Sequence, residues 1–172
     1  MILLYALCAL GFIFVFFGFI ALFAGPKGRG APFVPSSRAR VRSMMQMSDL
    51  KPRELMVDLG SGDGRIVIAF ARAGADAHGY ELNPVLVWWS RLHALALGLS
   101  NNAHFHIGSY WKEDLSKYRI VTIYGVPSMI QPLEKKLREE LMPGARVLSN
   151  NTTLPNWTPS KSESGVYRYE VT

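Results

Sequence analysis

Cysteine is nearly missing from this chain of 172 residues: Cys8 stands alone, inside an uncharged run. A single cysteine excludes a disulfide within the chain and any thiolate-built metal site. Its apolar setting disfavours the thiolate and with it a nucleophilic role. Charge is missing from residues 2–24, where Leu, Ile, Phe, Ala and Val dominate. Acidic side chains are missing before Asp49, whereas Lys27, Arg29, Arg38, Arg40 and Arg42 precede it. The chain has no internal repeat, and its length leaves room for one globular domain.

What is present at the start is a long apolar stretch. Its 23 residues, if helical, reach roughly 35 Å at about 1.5 Å each, enough for a hydrocarbon core of about 30 Å. The pattern predicts a transmembrane anchor over residues 1–25, ended at Gly25-Pro26. A cleaved signal peptide would need a basic start and a shorter apolar core, and Met1-Ile-Leu-Leu carries no basic side chain. Residues 26–48 read as a basic linker rich in Pro, Gly and Ser that leads into the domain, and residues 49–172 as the domain itself. The basic flank predicts a single-pass protein with its domain on the cytoplasmic side, or on the matrix side of the mitochondrial inner membrane if the source is eukaryotic. The same arginines suit anionic headgroups, and equally a solvated linker. The net charge of +6 fits a membrane surface or an acidic partner and does not by itself argue for nucleic acid.

The remainder alternates between two periodicities. Strands are predicted over 55–59, 77–81, 103–107, 120–124 and 145–149, with a sixth over 166–171 at a sheet edge. Helices are predicted over 37–47, 64–73, 84–97 and 128–141. The last of these carries Met129, Leu133, Leu137 and Leu141 four apart, with charge on its other faces. Alternating strands and helices predict an α/β fold with a doubly wound, mostly parallel sheet. Ligands of such sheets bind beyond the carboxyl ends of the strands, where the strand order reverses.

The residues with chemistry fall at those ends. An apolar run closes in Asp58-Leu-Gly60-Ser61-Gly62-Asp63-Gly64, and a second closes in Gly79-Tyr-Glu81. Glycines allow φ > 0 and close approach of a ligand to backbone. A dinucleotide fingerprint would be G-x-G-x-x-G; counted from Gly60, its third glycine would fall at Arg65. Here the third glycine comes one residue early, and Asp63 would repel a pyrophosphate. A cationic nucleoside cofactor without phosphate, S-adenosyl-L-methionine, fits better. Glu81 can accept hydrogen bonds from both ribose hydroxyls. Asp58 can hold the loop amides or, through water, the cofactor's ammonium group. The competing readings are a degenerate nucleotide fold and a chance glycine-rich turn.

Residues 58–67 resemble motif I of the class I, seven-strand methyltransferases, whose fold is Rossmann-like. Three further segments narrow the resemblance: Ala31-Pro-Phe-Val-Pro-Ser36, Gly79-Tyr-Glu-Leu-Asn-Pro-Val-Leu-Val-Trp88, and Tyr124-Gly-Val-Pro-Ser-Met129 with Leu133-Glu-Lys-Lys-Leu137. Together they are similar to the mitochondrial protein-lysine methyltransferases acting on the ATP synthase c-subunit and the adenine nucleotide translocase, and to the archaeal broad-specificity protein-lysine methyltransferase. The resemblance implies that Asp58, Gly60, Ser61 and Gly62 form the cofactor loop. It implies Glu81 on the ribose, with Leu82 and Asn83 beside the adenine. Phe33 to Ser36, Pro35 included, would fold over the methionine end. Tyr124 would stand near the transferred methyl group, with Phe33 and Trp111 lining a dry channel. Ser109 stands where relatives often carry an acid for the adenine amino group, and can accept only through its hydroxyl or leave the task to a backbone carbonyl. The fourth strand runs into Tyr-Gly-Val-Pro rather than Asn/Asp-Pro-Pro-Tyr, which lowers a nucleic-acid substrate.

The function expected is therefore a membrane-anchored, S-adenosyl-L-methionine-dependent protein-lysine N-methyltransferase. Its expected partners are a protein with an accessible lysine, itself membrane-associated, and lipid through the apolar helix and basic flank. A methyltransferase for a lipid or small amphiphile, and a non-catalytic cofactor-binding protein, are the alternatives. Trp88 and Trp89 are expected in the core, as are Met44, Met45 and Met47. His104 and His106 share one strand face, but the sequence places no further metal ligands beside them, and His78 and His93 are given no role.

Overall fold

The computed structural model describes residues 5, 7, 9–15, 18, 34–125 and 127–172. The chain divides into two compact units, Met1–Phe33 and Val34–Thr172. The described residues of the first are helical. The anchor expected over residues 1–25 falls largely outside the described residues. Among the described residues no helix is long and apolar enough to cross a membrane.

The second unit carries the sheet. Its elements are α1 (Arg38–Met47), β1 (Leu55–Leu59), α2 (Arg65–Arg72), β2 (Asp76–Glu81), α3 (Pro84–Ala96), β3 (Ala103–Ile107), β4 (Ile120–Ile123), α4 (Pro127–Glu140), β5 (Arg146–Asn150), β6 (Lys161–Glu163) and β7 (Val166–Glu170). A short 3-10 turn, Tyr110–Lys112, follows β3. The seven strands lie in the order β3-β2-β1-β4-β5-β7-β6. Strands β1 to β5 are parallel; β7 runs antiparallel to both neighbours. The order reverses between β1 and β4, so the loops after these strands flank the crevice at the sheet's centre.

Alternation along β1 assigns the two faces. Met56 joins a core with Met44 and Met47 of α1, Phe70 of α2 and Val87 of α3. Val57 and Leu59 join the opposite core, with Tyr118 and with Leu133 and Leu137 of α4. The sheet is thus covered on both faces, and its central strands β1 and β4 are apolar but for Asp58 and Thr122, as burial on two sides favours.

Helix α1 is fastened rather than merely apposed. Ser37 caps its start, accepting from the Arg40 amide at 3.3 Å. Its end is held by two buried arginines of the sheet. Arg168 Nη1 donates to the Met47 carbonyl at 2.7 Å, and Arg146 Nη1 to the carbonyls of Ser48 and Asp49 at 2.8 Å each. Their charges are met by Asp49 and Glu170 for Arg168 and by Glu54 for Arg146. Residues 34–48 of the lead-in belong to the same compact unit as the strands.

Two expectations fail here. The strand expected at the sheet edge is not at the edge: β7 lies between β5 and β6. The edge strand β6, Lys-Ser-Glu, has every residue exposed and no apolar alternation to announce it. The hairpin is set by Ser164 and Gly165, both at positive φ (52° and 76°), as a two-residue primed turn demands. Trp88 and Trp89, expected in the core, are each 59% exposed. Only Leu86, Val87, Ser90 and Ala94 of α3 are buried, so its mostly apolar composition leaves an uncovered apolar face.

Candidate active site at the carboxyl ends of the strands

The loop between β1 and α2 is built by its glycines. Gly60, Gly62 and Gly64 have φ of 90°, 53° and 77°, where a side chain is disfavoured. The amides of Gly60 and Ser61 both donate to the Tyr80 carbonyl, at 2.9 and 3.0 Å, which lays the loop against the end of β2. Gly79 makes that contact possible: a Cβ there would come within 2.7 Å of Ser61 and 2.9 Å of Val67.

Glu81, the last residue of β2, is half-buried. Its Oε2 accepts from the Gly62 amide at 3.0 Å and its Oε1 from the Asn83 amide at 2.8 Å. A carboxylate has about four acceptor positions; two backbone amides fix this one and leave capacity on both oxygens. Asn83 is buried and caps α3, accepting from the Val85 amide at 3.0 Å. Leu82 lies half-buried between the two. The Gly108 amide donates to the Glu81 carbonyl at 3.0 Å, which brings the end of β3, and Ser109 after it, beside the end of β2.

Asp58 occupies the deepest point. It is buried in β1 and opposes Thr122 of β4, whose hydroxyl donates to Oδ1 at 2.7 Å. Burial pushes its carboxyl up to about 7, and the Glu81 and Asp63 carboxylates push the same way, while the Thr122 hydrogen bond opposes them. The loop amides expected on Asp58 go instead to Tyr80 and Glu81.

Asp63 also differs from expectation. Arg65 grips it through Nε and Nη2, so its charge is compensated rather than free to repel a ligand. The same guanidinium donates through Nη1 to the Ser36 carbonyl at 2.7 Å. Asn150, at the end of β5, donates to the Ser36 hydroxyl at 2.7 Å. Ser36 is thus pinned to the glycine loop and to β5, with Pro35 exposed beside it. Phe33 lies outside the described residues. Tyr124 is half-buried just after β4, and the Gly125 carbonyl accepts from Thr152 at 2.9 Å, joining the loops after β4 and β5. Trp111 packs at 5.1 Å from Tyr110 at the margin of the second core.

The fold therefore gathers Asp58, Gly60, Ser61, Gly62, Glu81, Leu82, Asn83 and Ser109 around the loops after β1, β2 and β3, and binds Ser36 to that group. Arg65, Thr122, Asn150 and Thr152 were missed. Thr122 had a signal, a lone hydroxyl in an otherwise apolar strand. Arg65 had none beyond its place in the loop.

The residues present fit a ribose-bearing cation. Glu81 offers two oxygens to a diol. A Cβ at Gly60 would meet open space, so the loop backbone is accessible. Asp58 supplies an acid that a nearby ammonium would ionise.

Comparison with known proteins agrees. Residues 58–161 match the model of the ANTKMT methyltransferase domain. The chain is 47% identical over 129 residues to the ATP synthase c-subunit lysine N-methyltransferase of Xenopus laevis, covering 74% of this chain and 56% of that protein. It is 30% identical over 145 residues to the protein-lysine N-methyltransferase of Saccharolobus islandicus (strain REY15A), covering 81% and 90%. The crystal structure of RNA methyltransferase from Salinibacter ruber in complex with S-adenosyl-L-homocysteine superposes with a TM-score of 0.76 at 36% identity, covering 80% of this chain and 94% of that one. The chain spans little more than half the length of the Xenopus laevis relative. The glycine loop and the terminal acid of β2 lie within the matched span, and the chain belongs to the ANTKMT methyltransferase domain family, on the class I methyltransferase fold.

Proposed function

We propose that this chain is an S-adenosyl-L-methionine-dependent protein-lysine N-methyltransferase working at a membrane on a membrane-associated protein. The observation that carries the reading is the Glu81 carboxylate, held at the end of β2 by the Gly62 and Asn83 amides beside a loop of left-handed glycines. When bound, S-adenosyl-L-methionine supplies a methyl group already activated on a sulfonium.

The chain's own residues then bind and orient. Glu81 takes the ribose hydroxyls, Leu82 and Asn83 border the adenine, and Ser109 meets its amino edge. Gly60, Ser61 and Gly62 present backbone, and Asp58 faces the ammonium end. Ser36, pinned by Arg65 and Asn150, and Pro35 beside it border the methionine end. An acceptor lysine must first lose a proton, since its free pKa is about 10.4. Apolar walls favour the neutral amine; Tyr124 and Trp111 supply them. Holding that amine in line is the main source of rate.

A protein substrate is supported by the printed names of the Xenopus laevis and Saccharolobus islandicus relatives. Membrane association is supported by the uncharged stretch over 2–24, by the basic residues after it, and by the α3 face. On that face Trp88, Trp89, Leu92 and Leu95 are 59–65% exposed. We assign residues 1–25 as a single-pass anchor, 26–48 as linker and lead-in, and 49–172 as the catalytic domain. That domain lies on the cytoplasmic side, or on the matrix side of the mitochondrial inner membrane in a eukaryotic source.

The test is transfer of label from methyl-tritiated cofactor to source membranes by the full chain. Label in a protein band, at lysine, supports the reading, with loss in Glu81→Ala. Label in the lipid extract or in added RNA, the acceptor in the name of the Salinibacter ruber protein, would replace the acceptor. Label in none of them would leave a cofactor-binding protein.

A further inference from the structure

The parallel register of β2 and β3 sets His78 opposite His104 and Tyr80 opposite His106. Asp76, His78 and Tyr80 alternate along β2, as His104 and His106 do along β3, so all five stand on one face of the sheet. Asp76, His78 and His104 each bring a metal-binding atom within 4.8 Å of the other two. Asp76 Oδ1 lies 3.2 Å from His104 Nε2 and 3.4 Å from His78 Nε2. That oxygen is sealed from solvent and accepts no hydrogen bond of acceptable geometry.

A cation between that carboxylate oxygen and the two imidazole nitrogens would satisfy all three. In a tetrahedral zinc site, bonds of about 2.0–2.1 Å put neighbouring ligand atoms about 3.3–3.4 Å apart, close to both separations here. The second layer is present too. His78 Nδ1 and His106 Nε2 share a hydrogen bond of 3.1 Å. With the proton on Nδ1, His78 Nε2 keeps its lone pair for a metal, the arrangement ligating histidines adopt. His106 is in turn stacked on Tyr80, with ring centroids 4.7 Å apart.

The geometry points to a second site in this protein, for a divalent transition metal of the zinc class, made by Asp76, His78 and His104 and oriented by His106. Two imidazoles and a carboxylate leave a fourth position open, and the half-exposed Asp76 gives an entry path. The ion would tie the edge strand β3 to β2. Asp76 is five residues before Glu81, about 16 Å at the rise of a strand, so this site is separate from the glycine loop.

Tag-free full chain in detergent, stripped with chelator, is loaded with zinc chloride, dialysed, and measured for bound zinc and for Tm. One zinc per chain and a Tm raised by several degrees are expected. His104→Ala and His78→Ala should lose both effects. His106→Ala should keep the stoichiometry with affinity about 10–100-fold weaker. His93→Ala, on the exposed side of α3, should match the parent. Cobalt in the parent protein should give the intense visible absorption of a low-coordinate site, a readout independent of any variant. No retained zinc, retention unchanged in His104→Ala, or a cobalt spectrum like that of the aqueous ion would each overturn the assignment.

Discussion

Asp58 carries the sharpest residue-scale consequence. Its carboxyl titrates near 7 in the folded protein and near 3.9 in an unfolded chain. Between these values the folded state holds a proton that the unfolded state has lost, so stability falls as pH rises from about 4 to 7. Asp58→Asn removes that slope. Urea midpoints measured across the window should decline in the parent protein and stay flatter in the variant. The loop glycines give a second contrast. A Cβ at Gly64 would come within 2.6 Å of Phe105 and 2.7–2.8 Å of Ser90, at a φ of 77°. A Cβ at Gly60 meets nothing, although its φ is 90°. Gly60→Ala should therefore cost about 1–2 kcal/mol of backbone strain. Gly64→Ala should cost about 1–3 kcal/mol more from overpacking. Denaturant unfolding of the two variants checks the order.

At the scale of elements, α1 depends on side chains from the far end of the sequence. Arg168→Met removes the donor to the Met47 carbonyl and the partner of Asp49. Asp49 and Glu170 are half-exposed, so the loss falls mainly on the Met47 carbonyl left without its donor, about 1–3 kcal/mol. Limited proteolysis should then cut first within residues 37–53, and equal resistance in parent and variant would count against this fastening. The legibility of elements follows the same physics. Strands β1 and β4 could be read because burial on both faces makes them mostly apolar runs, β2 and β3 by the alternation of buried and half-exposed positions, and the glycine loop because left-handed backbone selects glycine. Strand β6 could not, since an exposed edge pairs through backbone alone; the Ser164-Gly165 turn was its one visible mark. The arginine clamps were hidden because Arg146 and Arg168 meet α1 across about 100–120 residues of sequence. Trp88 and Trp89 were misplaced because apolar composition does not say whether anything covers a face. Likewise His78 acquired neighbours only through the register of β2 and β3.

For the whole molecule, the family match and the strand order agree with the expectation drawn from the motif residues, whereas the membrane and the acceptor belong to the proposal. The exposed face of α3 makes the membrane part testable. Aromatic and aliphatic side chains on one helix face suit the interfacial region of a bilayer, and Arg91, 5.4 Å over the Trp88 ring, suits its headgroups. In vesicles with brominated acyl chains, tryptophan emission of the reconstituted full chain should be quenched. Trp88→Phe with Trp89→Phe should remove most of that quenching, and unchanged quenching would show that this face does not touch lipid.

The central claim is that Glu81 grips the sugar of S-adenosyl-L-methionine, and titration calorimetry of the cofactor into the full chain tests it most directly. Hydrogen bonds to a charged group contribute about 1.5–3 kcal/mol each, and two hydroxyls are held. Binding of one cofactor per chain is predicted, weakened about 100-fold or more in Glu81→Ala. Equal affinity in parent and variant, or no heat of binding in the parent, would contradict it.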